Sequence, residues 1–229
     1  MMHLVSKGVI TNRKKGFNEG KLVASIAIGT KELYEFLDSN PSVEFHPSDY
    51  VNDPRIISRH NKMVSMNVAM AVDLTGQVAA DALPFNYYSG VSGTLDFIRG
   101  TALSEGGKSI LMLTSTTARG KKSRIVPMFH DTGVVVPRGD VQYIVTEYGA
   151  VNLFGKSYQE RAMAMISIAH PDFRNCESCM QWHIEQAASS GASYDEILEA
   201  LEVGIEMGGG PATVSARFAL QVMDRVFPN

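Results

Sequence analysis

Cysteine is almost absent from this chain: there are two among 229 residues. Both fall in one C-x-x-C, as Cys176 and Cys179. That count excludes a disulfide framework. In a sequence whose N-terminus carries no apolar signal core, it points to cytosolic redox or metal chemistry. No apolar run is long enough to span a bilayer, so no membrane segment is expected. Charge of neither sign dominates, since the formal net charge is −3. No basic run lies on a helical pattern, which removes the electrostatic reason to expect nucleic acid. Tryptophan occurs once, as Trp182 in "CMQWH", and is expected in the core. Internal repeats and low-complexity linkers are missing too. What is present is an ordinary globular balance, 45% hydrophobic and 20% charged, sufficient to bury a core. The sequence predicts a soluble, cytoplasmic protein.

The first three quarters read as strands and short helices. "KLVASIAIG" (21–29) is an apolar, β-branched run ending in glycine and predicts a buried strand. Thr30 then caps a helix carrying Leu33, Phe36 and Leu37. "VSMNVAMAVDLTGQV" (64–78) predicts a long strand with a Thr-Gly turn. Further strands are expected at 109–116, 123–129, 133–137 and 141–149, and helical pieces near 53–59, 96–104 and 157–168. Such mixing with short connections predicts an open, layered α/β domain. From Cys176 the period becomes helical. Ser193 and Glu196 form a capping box ahead of Ile197, Leu198, Leu201 and Ile205 on one face. A break at Gly208–Gly210 and a restart at Pro211 precede the stripe Val214, Phe218, Val222 and Val226. Three helices are expected, roughly 177–190, 194–207 and 211–226. The composition shift divides the chain into 1–172 and 173–229.

Two Gly-Lys-Ser tripeptides, in "EGGKSI" and "FGKSY", suggest phosphate-binding loops. The motif needs a further glycine five residues earlier, where Ala102 and Ala150 stand instead. Both are turns.

Several phrases in order resemble the C-terminal domain of the acetyl-CoA hydrolase/transferase family, which includes 4-hydroxybutyrate and acetate CoA-transferases. They are "KGVITN" (7–12), "DYVNDP" (49–54), "VDLTGQV" (72–78), "YYSGVSGTLDFIRG" (87–100), "GGKSI", "SRIVP", "VTEYG" and "IAHPDFR" (168–174). The resemblance implies a CoA-transferase-like fold over residues 1–172, with coenzyme A as substrate, no tightly bound cofactor, and an acyl-CoA and a small carboxylate as partners. It also implies covalent catalysis by a glutamate through an acyl anhydride and a glutamyl-CoA thioester. By motif, the resemblance implies that Asn52 of "VNDP" helps hold the reacting carboxylate or acyl group, and that Gly93 of "GVSGTLDF" presents a backbone N–H to the oxyanion. Gly90 lies in the same loop, where close approach favours glycine. Ser92 stands where the family usually has a further glycine. The family's glutamate lies upstream of "GVITN" in a His-Ser/Thr-Glu context, but only "MMHLVSK" precedes Gly8 here. The expectation is therefore a domain incomplete without a protein partner that carries the preceding domain and its glutamate. Without the resemblance, Asn52, Gly90 and Gly93 are ordinary turn residues, and Glu147 of "VTEYG" a structural acid.

"CESCMQWHIEQAASSGASYDEILEALEVGIEMGGGPA" resembles the carboxymuconolactone decarboxylase superfamily, in its alkylhydroperoxidase-D-like branch. A C-x-x-C at a helix N-terminus favours thiolate. His183, one turn after Cys179, is placed to exchange a proton with it. The resemblance implies Cys179 as the attacking thiol and Cys176 as the resolving one, cycling between dithiol and disulfide. The branch's relay glutamate corresponds to Ala164, or to Glu160 if one helical turn is inserted. A metal site of His170, Cys176, Cys179 and His183 departs from usual zinc spacing, so no metal is expected. Buried, inert cysteine is the plainer alternative. Three functions follow: a CoA-transferase or acyl-CoA hydrolase domain, a thiol-dependent peroxidase or disulfide reductase, or an inactive fusion remnant. An apolar face without its usual covering predicts a homo-oligomer.

Overall fold

The computed structural model describes residues 2–228 apart from 118–119, 175–176 and 209, and omits the side chains of 172, 174, 177–179, 207–208, 210–212 and 214. It divides into two units, Met1–Ile168 and Ala169–Asn229. The first is mixed α/β and the second is helical.

In the first unit a short helix α1 (Met2–Ser6) leads to strand β1 (Leu22–Ala24), helix α2 (Lys31–Leu37) and strand β2 (Val43–Phe45). β1 and β2 pair in parallel from Leu22↔Val43 to Ala24↔Phe45. The apolar run predicted as a buried strand over 21–29 is thus a strand only at its start. Ile28 is 82% exposed, because among the described residues β1 has β2 as its one neighbour and the ladder ends at Ala24.

Two single-turn helices follow, α3 (Ser48–Val51) and α4 (Pro54–Ile57), and then β3 (Val64–Val68), β4 (Ala71–Asp73) and β5 (Val78–Ala79). The single strand expected over 64–78 is divided between two sheets. Ala69 N–H still donates to Met112 O, whereas Met70 N–H donates to Ala79 O. The chain changes sheets at that peptide. Buried Asp73 closes the β4–β5 turn by accepting from Thr75 N (2.9 Å), Thr75 Oγ1 (2.6 Å), Gln77 N (3.0 Å) and Gln77 Nε2 (2.7 Å). Four donors satisfy a carboxylate that burial would otherwise penalise heavily.

A hairpin of β6 (Ala82–Leu83) and β7 (Asn86–Tyr87) precedes helix α5 (Thr94–Leu103), β8 (Lys108–Met112), β9 (Ile125–Val126), β10 (Tyr143–Thr146), β11 (Gly149–Asn152) and helix α6 (Tyr158–Ser167). The segment expected as a strand over 133–137 makes an isolated bridge, Val78↔Val136. The central sheet has the order β11-β10-β8-β3, with β3, β8 and β10 parallel. α5 packs against β3 and β8. Ile98, Leu111, Ile144 and Met165 are fully buried. Pairing puts Met66, Ile110 and Tyr143 in one row and Val68, Met112 and Val145 in the next. On that face Met66 is 67% exposed.

The second unit comprises α7 (Pro171–Arg174), α8 (Glu177–Ser189), α9 (Tyr194–Gly208) and α10 (Gly210–Val226). Ile184, Ile197, Ala219, Val222 and Met223 form its core, with Leu198, Leu201, Phe218 and Val226 against it. The capping box forms: Glu196 Oε2 accepts from Ser193 N at 2.8 Å, and Ser193 Oγ accepts from Glu196 N at 3.3 Å. Trp182 is not in the core but 55% exposed. Met180, Ile184 and Ala187 occupy the apolar face of α8, and at helical spacing residue 182 points away from it.

Candidate active site

In open α/β sheets, ligands gather beyond the carboxyl ends of parallel strands. β3 ends there at Val68, β8 at Met112 and β10 at Thr146. The chain leaves β3, makes its excursion through β4–β7, and returns along α5 into β8, which is parallel to β3. α5 must therefore begin at the carboxyl edge and run back to the amino edge. Gly93, its N-cap, stands at the carboxyl edge.

Asn52 meets it there. The residue ends α3, donating its N–H to Ser48 O at 2.8 Å. Asp53 then caps α4 by accepting from Arg55 N at 2.8 Å and pairing with the Arg55 guanidinium at 2.7 Å, which holds its carboxyl below the usual range. Pro54 fixes the first helical turn. The bend between two one-turn helices aims the Asn52 side chain at α5. A Cβ on Gly93 would stand 2.5 Å from Asn52 Nδ2 and 2.8 Å from its Cγ. Only glycine allows this approach. Ser92 Oγ and Thr94 Oγ1 lie 2.8 Å apart beside it. The first N–H groups of a helix have no intrahelical acceptor, and the dipole favours negative charge there. A carboxamide donor and a glycine backbone at a helix N-terminus can stabilise a developing oxyanion.

Gly90 is exposed, with open space where a Cβ would lie. It follows a hairpin that displays Phe85 (87% exposed), Tyr87 and Tyr88. Glu147, set aside from sequence as a structural acid, follows β10 at the carboxyl edge. It accepts from Ser115 N at 2.8 Å and from Ser115 Oγ at 2.7 Å. Its side of the sheet could have been inferred from the strand end, but its serine partner lies 32 residues away in the chain.

The second candidate set is less fully described. Cys176 lies outside the described residues, and so does the side chain of Cys179, which sits in α8 one turn before His183. His183 is exposed, with Trp182 edge-on at 4.9 Å. Glu160 is exposed and caps α6, accepting from Ser157 N at 2.7 Å. Those bonds lower its pKa. His170 rests against Phe173, with ring centroids 6.0 Å apart. Among the described residues no three metal-ligating side chains converge.

The model for the acetyl-CoA hydrolase/transferase C-terminal domain matches residues 29–176. The chain belongs to that family. The carboxymuconolactone decarboxylase family model matches residues 140–222, so both cover 140–176. A 4-hydroxybutyrate coenzyme A transferase of Clostridium kluyveri is 49% identical over 176 residues, 76% of this chain and 41% of that one. RipA of Yersinia pestis superposes with a TM-score of 0.71 at 46% identity, over 76% of this chain and 39% of that one. A 4-hydroxybutyrate CoA-transferase of Porphyromonas gingivalis superposes with a TM-score of 0.65 at 42% identity, over 76% of this chain and 40% of its own. The chain thus spans about two fifths of the length of each of these three proteins. Among the described residues no helix is long and apolar enough to cross a membrane.

Proposed function

We propose that residues 1–172 form the CoA-binding part of an acyl-CoA:carboxylate CoA-transferase or acyl-CoA hydrolase, with coenzyme A thioesters as substrate. The observation that carries this reading is the apposition of Asn52 to Gly93 at the N-terminus of α5. In this reading a carboxylate from outside residues 1–229 attacks the thioester carbonyl and expels CoA thiolate, leaving a mixed anhydride. The thiolate then attacks the enzyme-side carbonyl, releases the acyl group as its carboxylate and forms an enzyme–CoA thioester. Each tetrahedral intermediate places negative charge on an oxygen. Asn52 Nδ2–H and the Gly93 N–H would stabilise that charge, and Gly90 would leave room for the thioester arm. Glu147, held from two sides by Ser115, would act as a positioning residue beside the acyl group.

A second activity is supported by the carboxymuconolactone decarboxylase match and by the helical spacing of Cys179 and His183 on α8. There Cys179 would attack a peroxide or disulfide, Cys176 would resolve it, and His183 would carry the proton. A thiol reductant would return the pair to the dithiol.

Titration of CoA and acetyl-CoA into the intact chain and into Cys179→Ser separates the two. The expected result is micromolar binding in both, with thiol-dependent peroxide or disulfide turnover confined to the unaltered chain. Absence of CoA binding would sink the first reading, and turnover that survives Cys179→Ser would sink the second.

A further inference from the structure

Strand β3 closes the central sheet on one side: the order β11-β10-β8-β3 gives it no second neighbour among the described residues. Its five residues, Val64-Ser65-Met66-Asn67-Val68, pair with β8 without a bulge, from Val64↔Lys108 to Val68↔Met112. Lys108 N–H donates to Met63 O, and Ala69 N–H donates to Met112 O, each at 2.9 Å. Main-chain groups alternate sides along a strand in a parallel ladder, so Ser65 and Asn67 turn theirs to β8, in phase with Met63 and Ala69. Val64, Met66 and Val68 turn theirs to the free edge. Edge strands are commonly guarded by lysine, proline or a bulge. β3 has none of these, and Val64, Met66 and Val68 are all exposed.

The inner face of β3 is unfinished as well. Ser65 is buried and Asn67 half-buried, yet Ser65 Oγ and Asn67 Nδ2 have no hydrogen-bond partner among the described residues. Buried polar atoms are as a rule satisfied, and two orphans on one edge strand call for a reason. The strand reads apolar, polar, apolar, polar, apolar in both directions. A twofold axis through Met66 therefore lays it on its own copy in antiparallel register: Met66 opposite Met66, Val64 opposite Val68, Ser65 opposite Asn67. The residues whose main chain faces the free edge become the hydrogen-bonded pairs. Ser65 and Asn67 then form the non-hydrogen-bonded pairs, where Cα atoms stand only about 4.5 Å apart and the side chains meet. Asn67 Nδ2–H of each copy can donate to Ser65 Oγ of the other, so both orphans gain a partner.

We propose that β3 pairs edge to edge with β3 of a second copy of this chain, about a twofold axis at Met66, joining two four-stranded sheets into one. The interface is isologous. Each copy uses its one β3 edge, so assembly stops at the dimer. Val64, Met66 and Val68 of both copies then continue one apolar row across the joint. Antiparallel pairing points the carboxyl ends of the two sets of parallel strands in opposite directions. The two Asn52–Gly93 sites therefore lie at opposite edges of the joined sheet, and the pairing is independent of the proposed reaction.

Sedimentation of the intact chain in reducing buffer, over a dilution series, tests the pairing. The expected result is a species of twice the 25.0 kDa chain mass, and a monomer at every dilution for Met66→Lys, which sets two ammonium groups across the axis. Met66 is exposed, so that variant should keep the circular dichroism spectrum of the unaltered chain. Cross-linking checks the register in a background of Cys176→Ser and Cys179→Ser. Oxidation should couple Met66→Cys into a disulfide dimer, because its Cα atoms face one another at about 5.5 Å. Val64→Cys should not couple, because its two copies stand four residues apart along the strands, roughly 13 Å. An unaltered chain that is monomeric throughout would overturn the assignment and leave the edge to a strand of another protein. So would a dimer that Met66→Lys leaves intact, an open-ended assembly, or coupling of Val64→Cys as readily as Met66→Cys.

Discussion

Gly93 is where one hydrogen atom separates two outcomes. Its φ of −70° is open to any residue, so alanine brings no backbone strain. What it brings is a methyl group 2.5 Å from Asn52 Nδ2, the far end of a side chain that can swing aside. Gly93→Ala should therefore cost under about 1 kcal/mol of stability, the scale of an N-cap change, while displacing the carboxamide from the site. We expect a nearly unchanged melting temperature with acetyl-CoA affinity about ten-fold lower, checked by thermal denaturation and calorimetry. Equal affinity in the variant would show that Asn52 need not face Gly93. The residue types were legible in sequence through "VNDP" and "GVSGTLDF"; their contact was not, since 41 positions separate them and no local pattern encodes the packing of α4 on α5. Cys176 and the Cys179 side chain, legible as C-x-x-C, lie outside the described residues.

At the scale of elements, the same pair of helices gives the opposite result about two turns further on. A Cβ at Gly100 would meet Ile57 Cβ at 2.6 Å and the Pro54 backbone Cα at 3.1 Å. Neither can swing away. Gly100→Ala should push α4 from α5 and cost about 1–3 kcal/mol, as overpacking does. A denaturant midpoint that does not move would refute the close packing. Helices were the more legible elements: the α9 capping box and the stripes of α9 and α10 depend on residues three and four apart. Strands were less so. Whether 64–78 is one strand or two depends on which sheet each half finds, and that is settled when Met70 turns to Ala79 instead of continuing along Met112.

For the whole molecule, acid should act in two stages. His60 has its pKa lowered in the fold, chiefly by burial, so the unfolded chain binds its proton first and stability falls as pH drops below about 6.5, the ordinary histidine value. Asp53, Glu44, Glu160 and Glu196 have lowered values through their hydrogen bonds. Their contribution is present above the ordinary carboxylate range near 4 and is lost as pH falls through their folded values. Urea midpoints measured from pH 8 to 3 should decline in both windows, and His60→Gln should flatten the first. A midpoint rising between pH 6.5 and 5 would contradict this.

By itself the sequence determined the α/β class, the helical C-terminal segment, the family and the residue types of both candidate sites. These depend on local periodicity, capping and motifs, which neighbours in the chain specify. Tertiary structure alone decided that Asn52 faces Gly93, that Ser115 holds Glu147, that Trp182 points outward, and that Met66 lies on the open face of its sheet. Each of these is a meeting of side chains distant in sequence or a choice between two faces of an element. Packing and charge select it only once the chain has closed on itself.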